Sequence, residues 1–138
     1  MAIRLERSGK NYQAIWTEQG SPLLAITKQQ QQAVQAYLNE KNIHAQVEIA
    51  MTYGNPSMQS AVENLLKNQV EKIIVLSLYP QYSSTTTGAL FDAFARVMKN
   101  ERGMVPFEFI HSYHLDENYI NALTNSIKVR WKICLKIR

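Results

Sequence analysis

At 138 residues, with 46% hydrophobic and 19% charged positions, the chain has the size and balance of one globular domain with a sizeable core. No apolar run reaches bilayer length, the charged start Met1–Arg7 holds no apolar export core, and the single Cys134 excludes an internal disulfide and a multi-cysteine metal site; a cytoplasmic protein is expected. The net charge of +4 resides in the last twelve positions, which hold five basic residues and no acid and leave ten basic against eleven acidic in the body, so charge excludes a nucleic-acid binder.

In chain order, a polar opening segment ends at Gly20-Ser21-Pro22, and a helix is predicted from Thr27, a serviceable N-cap, with Ala33, Val34, Tyr37 and Leu38 along one side. The glutamine run 28–32 reads as its solvated first turn. Residues 45–53, rich in Val, Ile and Met, predict a strand closed by Gly54-Asn55-Pro56. Ser57 then caps a helix with Val62, Leu65 and Leu66 inward and Glu63 and Lys67 at the four-residue spacing of an ion pair. The run from Lys72 to Leu78 is continuously apolar apart from Lys72 and Ser77, as in a parallel strand buried on both faces. A hydroxyl cluster, Ser83 to Thr87, leads through Gly88 into a helix reaching Asn100, striped by Leu90, Phe91, Phe94 and Val97. Residues 107–111 predict a short strand, and Asp116 caps a helix carrying Tyr119, Ile120 and Leu123. Strands alternating with such helices define an α/β fold, a Rossmann-like parallel sheet flanked by helices. Neither a Gly-x-Gly-x-x-Gly turn nor a Walker loop is present, so nucleotide sites have no support.

In open α/β sheets ligands bind beyond the carboxyl ends of the strands. Those ends are 53–57, 79–88 and 112–116. The middle one combines two tyrosines, five consecutive hydroxyls and a helix amino terminus. Free N–H groups there would favour an acidic group, and the tyrosines a flat one, which together suit a planar aromatic acid. The plainer alternative is that the hydroxyls cap the helix and the tyrosines pack.

The wording of several segments adds to this reading. Tyr12-Gln-Ala-Ile-Trp16, Gly20-Ser-Pro-Leu23, Met51-Thr-Tyr-Gly-Asn-Pro-Ser57, Val75-Leu-Ser-Leu-Tyr-Pro-Gln-Tyr-Ser83 with Thr86-Thr-Gly88, and Asn118-Tyr-Ile-Asn-Ala-Leu123 occur in the order of ferrochelatase segments. The chain resembles that family over residues 3–128. The resemblance implies one half of the two-domain chelatase fold, lacking its first strand, followed by an unmatched basic tail at 129–138. It implies the haem-biosynthesis family that inserts ferrous iron into protoporphyrin, and a porphyrin pocket wall at Arg4, Tyr12, Ser21, Tyr53, Tyr82 and Ser83. Without it, Tyr12 reads equally as a helix-anchoring aromatic.

The family's catalytic histidine stands in a Ser-x-His-(Gly or Ser)-x-Pro strand end that this chain does not carry. Ser112-Tyr113-His114 mimics it, but Leu115-Asp116 follows and the segment precedes the 119–123 helix instead of following it. His111 and His114, three apart on a strand, make a poor metal pair, and His44 is a loop residue. The expectation is therefore no catalytic residue, no metal site and no cofactor. Ferrous iron and porphyrin are substrates of the complete family. The chain would be an inactive piece of a lyase, or alternatively a porphyrin-binding or interaction half-domain that pairs with a complementary half.

From Ile127 onward apolar residues alternate with basic ones, a strand-like pattern. It reads either as an end produced by a reading-frame change or as a strand that contacts a membrane surface or pairs at an edge.

Overall fold

The computed structural model describes residues 16, 18, 20–101 and 105–135, with side chains to 131. It forms two compact units, Met1–Asn68 and Gln69–Arg138, each described by itself. The positions of Arg4 and Tyr12 lie outside the described residues.

In the first unit, helix α1 (Pro22–Glu40) begins five residues before the expected Thr27. Pro22 takes the first helical position, where its missing N–H costs nothing and its fixed φ suits the helix. Ser21 is the N-cap residue, and Thr27 lies within the first turns, its hydroxyl donating back to the Leu23 carbonyl at 2.8 Å. The inward face also differs from expectation. Val34 and Tyr37 are exposed, whereas Leu24, Thr27, Gln31, Gln35 and Leu38 are half-buried at helical spacing.

Residues 45–53 do not form the expected strand, and at the start of this segment those two glutamines occupy backbone groups. The Gln35 side chain donates to the Ala45 carbonyl at 2.8 Å and accepts from the Val47 N–H at 2.8 Å. Gln31 donates to the Val47 carbonyl at 2.6 Å. A neighbouring parallel strand would satisfy the same alternate groups with its own backbone. Here side-chain amides take its place and no ladder forms along this stretch. Ladder-like pairing among these residues is limited to an isolated parallel bridge, Met51 to Ser57, with the Met51 N–H donating to the Pro56 carbonyl at 2.8 Å. The intervening loop turns at Gly54, whose φ of +86° suits glycine, and contains a cis Asn55–Pro56 bond.

Helix α2 (Met58–Lys67) starts as expected: the Ser57 hydroxyl accepts from the Ser60 N–H at 3.1 Å. Ala61 and Val62 are buried, with Leu65 and Leu66 half-buried beside them. The Glu63 carboxylate bonds Gln59 at 2.9 Å, one turn back, instead of Lys67. With Ile49, Ala61 and Val62 form this unit's core.

The second unit is a β-α-β arrangement. Strand β1 (Ile73–Leu76) pairs in parallel with β2 (Phe107–Ile110), Ile73 opposite Phe107 and Leu76 opposite Ile110. A π-helical turn (Ser84–Gly88) runs into helix α3 (Ala89–Asn100), which connects them. Register places Ile73, Val75, Phe107 and Phe109 on one face, and α3 covers it. Phe94, 1% exposed, meets Phe107 edge-on at 5.1 Å, and Phe91 meets Phe109 at 5.3 Å. Ile73, Leu90 and Phe94 are the buried apolar residues here.

The opposite face is open, which corrects the expectation that β1 is buried on both sides: Ile74 and Leu76 are 60% and 52% exposed. Lys72 and Glu108 form an exposed 2.6 Å ion pair, a minor contribution.

Helix α4 (Glu117–Leu135) is capped by Asp116, whose carboxylate accepts from the Tyr119 N–H at 3.0 Å. It continues to Leu135, so the predicted strand-like tail is helical over its described residues. The alternating pattern was misleading because a second spacing runs through it. Ile120, Leu123, Ile127 and Trp131, three or four apart, share one helical stripe. All four are exposed. No helix among the described residues is long and apolar enough to cross a membrane.

Candidate functional site

The loops that follow β1 and β2 lie at the carboxyl end of the two-stranded sheet, where a parallel α/β arrangement presents ligands. The chain leaves β1 through Ser77, 2% exposed, whose hydroxyl accepts from the Tyr79 N–H at 3.2 Å. The Tyr113 N–H, in the loop after β2, donates to the Pro80 carbonyl at 3.0 Å. A second link is aromatic: the rings of Tyr82 and His111 stack with centroids 4.5 Å apart and planes within 9°. Both side chains remain open to solvent.

Ser83 organises the helix start. Its hydroxyl accepts from the Thr85 N–H at 3.3 Å, and its carbonyl accepts from the N–H groups of Thr86 at 3.2 Å and Gly88 at 3.0 Å. Three of the backbone donors expected to await an acidic ligand, those of Thr85, Thr86 and Gly88, are therefore engaged by Ser83 itself, and the capping alternative holds for these three. Thr87, 1% exposed, is anchored by a 3.4 Å bond from its hydroxyl to the Gln81 carbonyl. Gly88 lets Tyr82 lie close: a β-carbon there would stand 3.3 Å from the phenol oxygen.

Tyr113 meets Tyr119 edge-on at 5.2 Å. Burial first, and the neighbouring Tyr119 second, push its phenol pKa above the usual 10.0. His114 lies in the turn before α4, half-buried, and its Nδ1 is enclosed without a hydrogen-bond partner. No carboxylate among the described residues is bonded to His111 or His114, and no group of three or more His, Cys, Asp or Glu side chains gathers there as a metal site.

Of the residues that the sequence nominates, Tyr82 and Ser83 are brought together here. Ser21 and Tyr53 belong to the first unit. Ser21 is half-buried at the start of α1, and Tyr53, 87% exposed, stands on the Met51–Ser57 loop. The sequence reading missed His111 as a ring partner, and its only signal was its place at the end of a strand. A surface hollow lined by Asp92, Ala95, Arg96 and Lys99 belongs to the flank of α3 and not to these loops.

The β-α-β unit with aromatic, hydroxyl-rich loops at the carboxyl ends of its strands defines an α/β protein of Rossmann-like half-domain type. The ferrochelatase family profile matches residues 1–135, and the chain belongs to that family. It is 76% identical over 132 residues to the ferrochelatase of Haemophilus influenzae (strain PittEE), covering 96% of this chain and 41% of that protein. Similarity extends to the ferrochelatase of Mannheimia succiniciproducens, 61% identical over 132 residues, and to that of Aeromonas hydrophila, 43% identical over 132 residues; each alignment covers 96% of this chain and 41% of the relative. The chain thus spans about two fifths of the length of the curated relatives that it matches. No solved structure gives a significant match.

Proposed function

We propose that this chain is a porphyrin-binding polypeptide of haem biosynthesis that contributes one wall of a chelatase pocket and does not insert iron by itself. The observation that carries the proposal is the pair of flat, exposed rings, Tyr82 on His111, of which Tyr82 stands on a loop whose wording is that of the family. A planar macrocycle is the ligand that such rings suit. Arg4, Tyr12, Ser21 and Tyr53 are the further wall residues that the resemblance nominates.

Removal of pyrrole protons needs a positioned base, and neither His111 nor His114 has the carboxylate partner that would orient one. Ferrous iron and porphyrin enter as substrates of the complete enzymes. The cytoplasm is the proposed compartment, consistent with a chain holding one cysteine.

Titration of the purified chain with protoporphyrin tests this reading. Fluorescence quenching at micromolar porphyrin, without zinc-porphyrin formation when zinc is added, is the expected result. Absence of quenching rejects the binding role, and zinc-porphyrin formation overturns the inactive one.

A second reading is favoured by the open face of β1 and the apolar stripe of α4. The chain would pair with a complementary half supplied by the longer remainder of a family member. Co-purification with residues of the Haemophilus influenzae ferrochelatase beyond the matched segment is the expected outcome.

A further inference from the structure

We infer that His111 is the group that receives a carboxylate of the bound porphyrin, an inference that rests on the porphyrin reading above. The argument begins with donors. At the helix start in this unit, the N–H groups of Thr85, Thr86 and Gly88 are already bonded to Ser83. The loops 79–88 and 111–116 contain no lysine or arginine. Asp116, the single acid in them, is committed to capping Tyr119. The side chains that can offer an N–H to an anion are Gln81 and the two histidines.

His114 presents little, since its Nδ1 is enclosed. His111 is exposed, and no hydrogen bond within the described residues occupies either of its ring nitrogens.

Geometry supplies the rest. An exposed histidine ordinarily samples several rotamers, and binding through it loses that freedom. Stacking on Tyr82 at 4.5 Å fixes the plane of the imidazole before a ligand arrives. Tyr82 is in turn held beside Gly88, which lacks the β-carbon that would crowd its phenol. The edge of a ring held in this way directs its N–H groups outward in a defined plane. An imidazole N–H facing a carboxylate forms a charge-assisted bond, because the acceptor is ionised. The macrocycle supplies the flat surface, and His111 recognises the acid on its edge.

The test compares protoporphyrin IX with its dimethyl ester, which has the same ring system and no free carboxylate. Fluorescence titrations are run on the whole chain as wild type, H111A, H111F and H111Q in one detergent buffer. The wild type is expected to prefer the diacid by about tenfold, the scale of one hydrogen bond to a charged group. H111A and H111F should bind the two porphyrins alike, although H111F keeps a ring to stack on Tyr82. H111Q, which retains an N–H donor, should recover part of the preference. Full diacid preference in H111F overturns the inference, as does equal binding of both porphyrins by the wild type. If the wild type binds neither porphyrin, the porphyrin reading itself fails.

Discussion

The Tyr113 N–H donates to the Pro80 carbonyl at 3.0 Å and so ties the loop after β2 to the loop after β1. The side chain of Tyr113 is a partly buried phenol whose pKa is raised, chiefly by burial. Raising the folded-state value above the unfolded one means that the folded state holds the proton longer. Stability from this group is therefore complete below about pH 10 and falls as pH rises through the folded-state pKa. The difference in urea midpoint between wild type and Y113F should be constant from pH 7 to 9 and shift in favour of Y113F above pH 10. A difference that stays flat as pH rises above 10 would show that the phenol does not titrate differently on folding.

Phe94 is the anchor of the second unit. It is 1% exposed and touches Phe107 and Phe109 of β2, so it joins the crossover helix to the sheet. Phe94→Ala removes a large buried side chain from a core whose other buried apolar members are Ile73 and Leu90. Such a change costs about 3–5 kcal/mol, comparable with the whole stability of a small domain. Loss of cooperative urea unfolding is the expected outcome, read by circular dichroism.

Gly88→Ala sets two effects against each other. Alanine in a helical turn is favoured over glycine by about 0.8–1.0 kcal/mol. The added β-carbon would stand 3.3 Å from the Tyr82 phenol oxygen, and this half-exposed ring can shift a few tenths of an ångström. Stability should change by less than about 1 kcal/mol. The stack should loosen, which a shift in the His111 ring signals by NMR would report. Strong destabilisation would mean that the Tyr82 ring cannot give way.

Much of the second unit was legible in the sequence. The apolar runs of β1 and β2, the stripe of α3 and the cap Asp116 are local signals, and each produced its element, as did the cap Ser57 in the first unit. Strand identity at 45–53 was not legible, because strand propensity does not specify a partner. The Ala45 carbonyl and both backbone groups of Val47 are held by Gln31 and Gln35, polar residues on a helix face where periodicity arguments look for apolar ones. The tail carried two periods at once, and helical continuation from Glu117 decided between them. At the site, chain wording located Tyr82 and Ser83. The stacking of Tyr82 on His111 joins residues 29 apart and depends on strand register, which periodicity within either segment does not reveal.

The two glutamines on α1 have a consequence for behaviour in a crowded solution. An extended segment with open N–H and C=O groups is a template on which another chain can add a strand. By holding the Ala45 carbonyl and both backbone groups of Val47, α1 denies that template along part of the segment. The same amides that stand in for a neighbouring strand thus act as a guard against recruiting one from a different molecule.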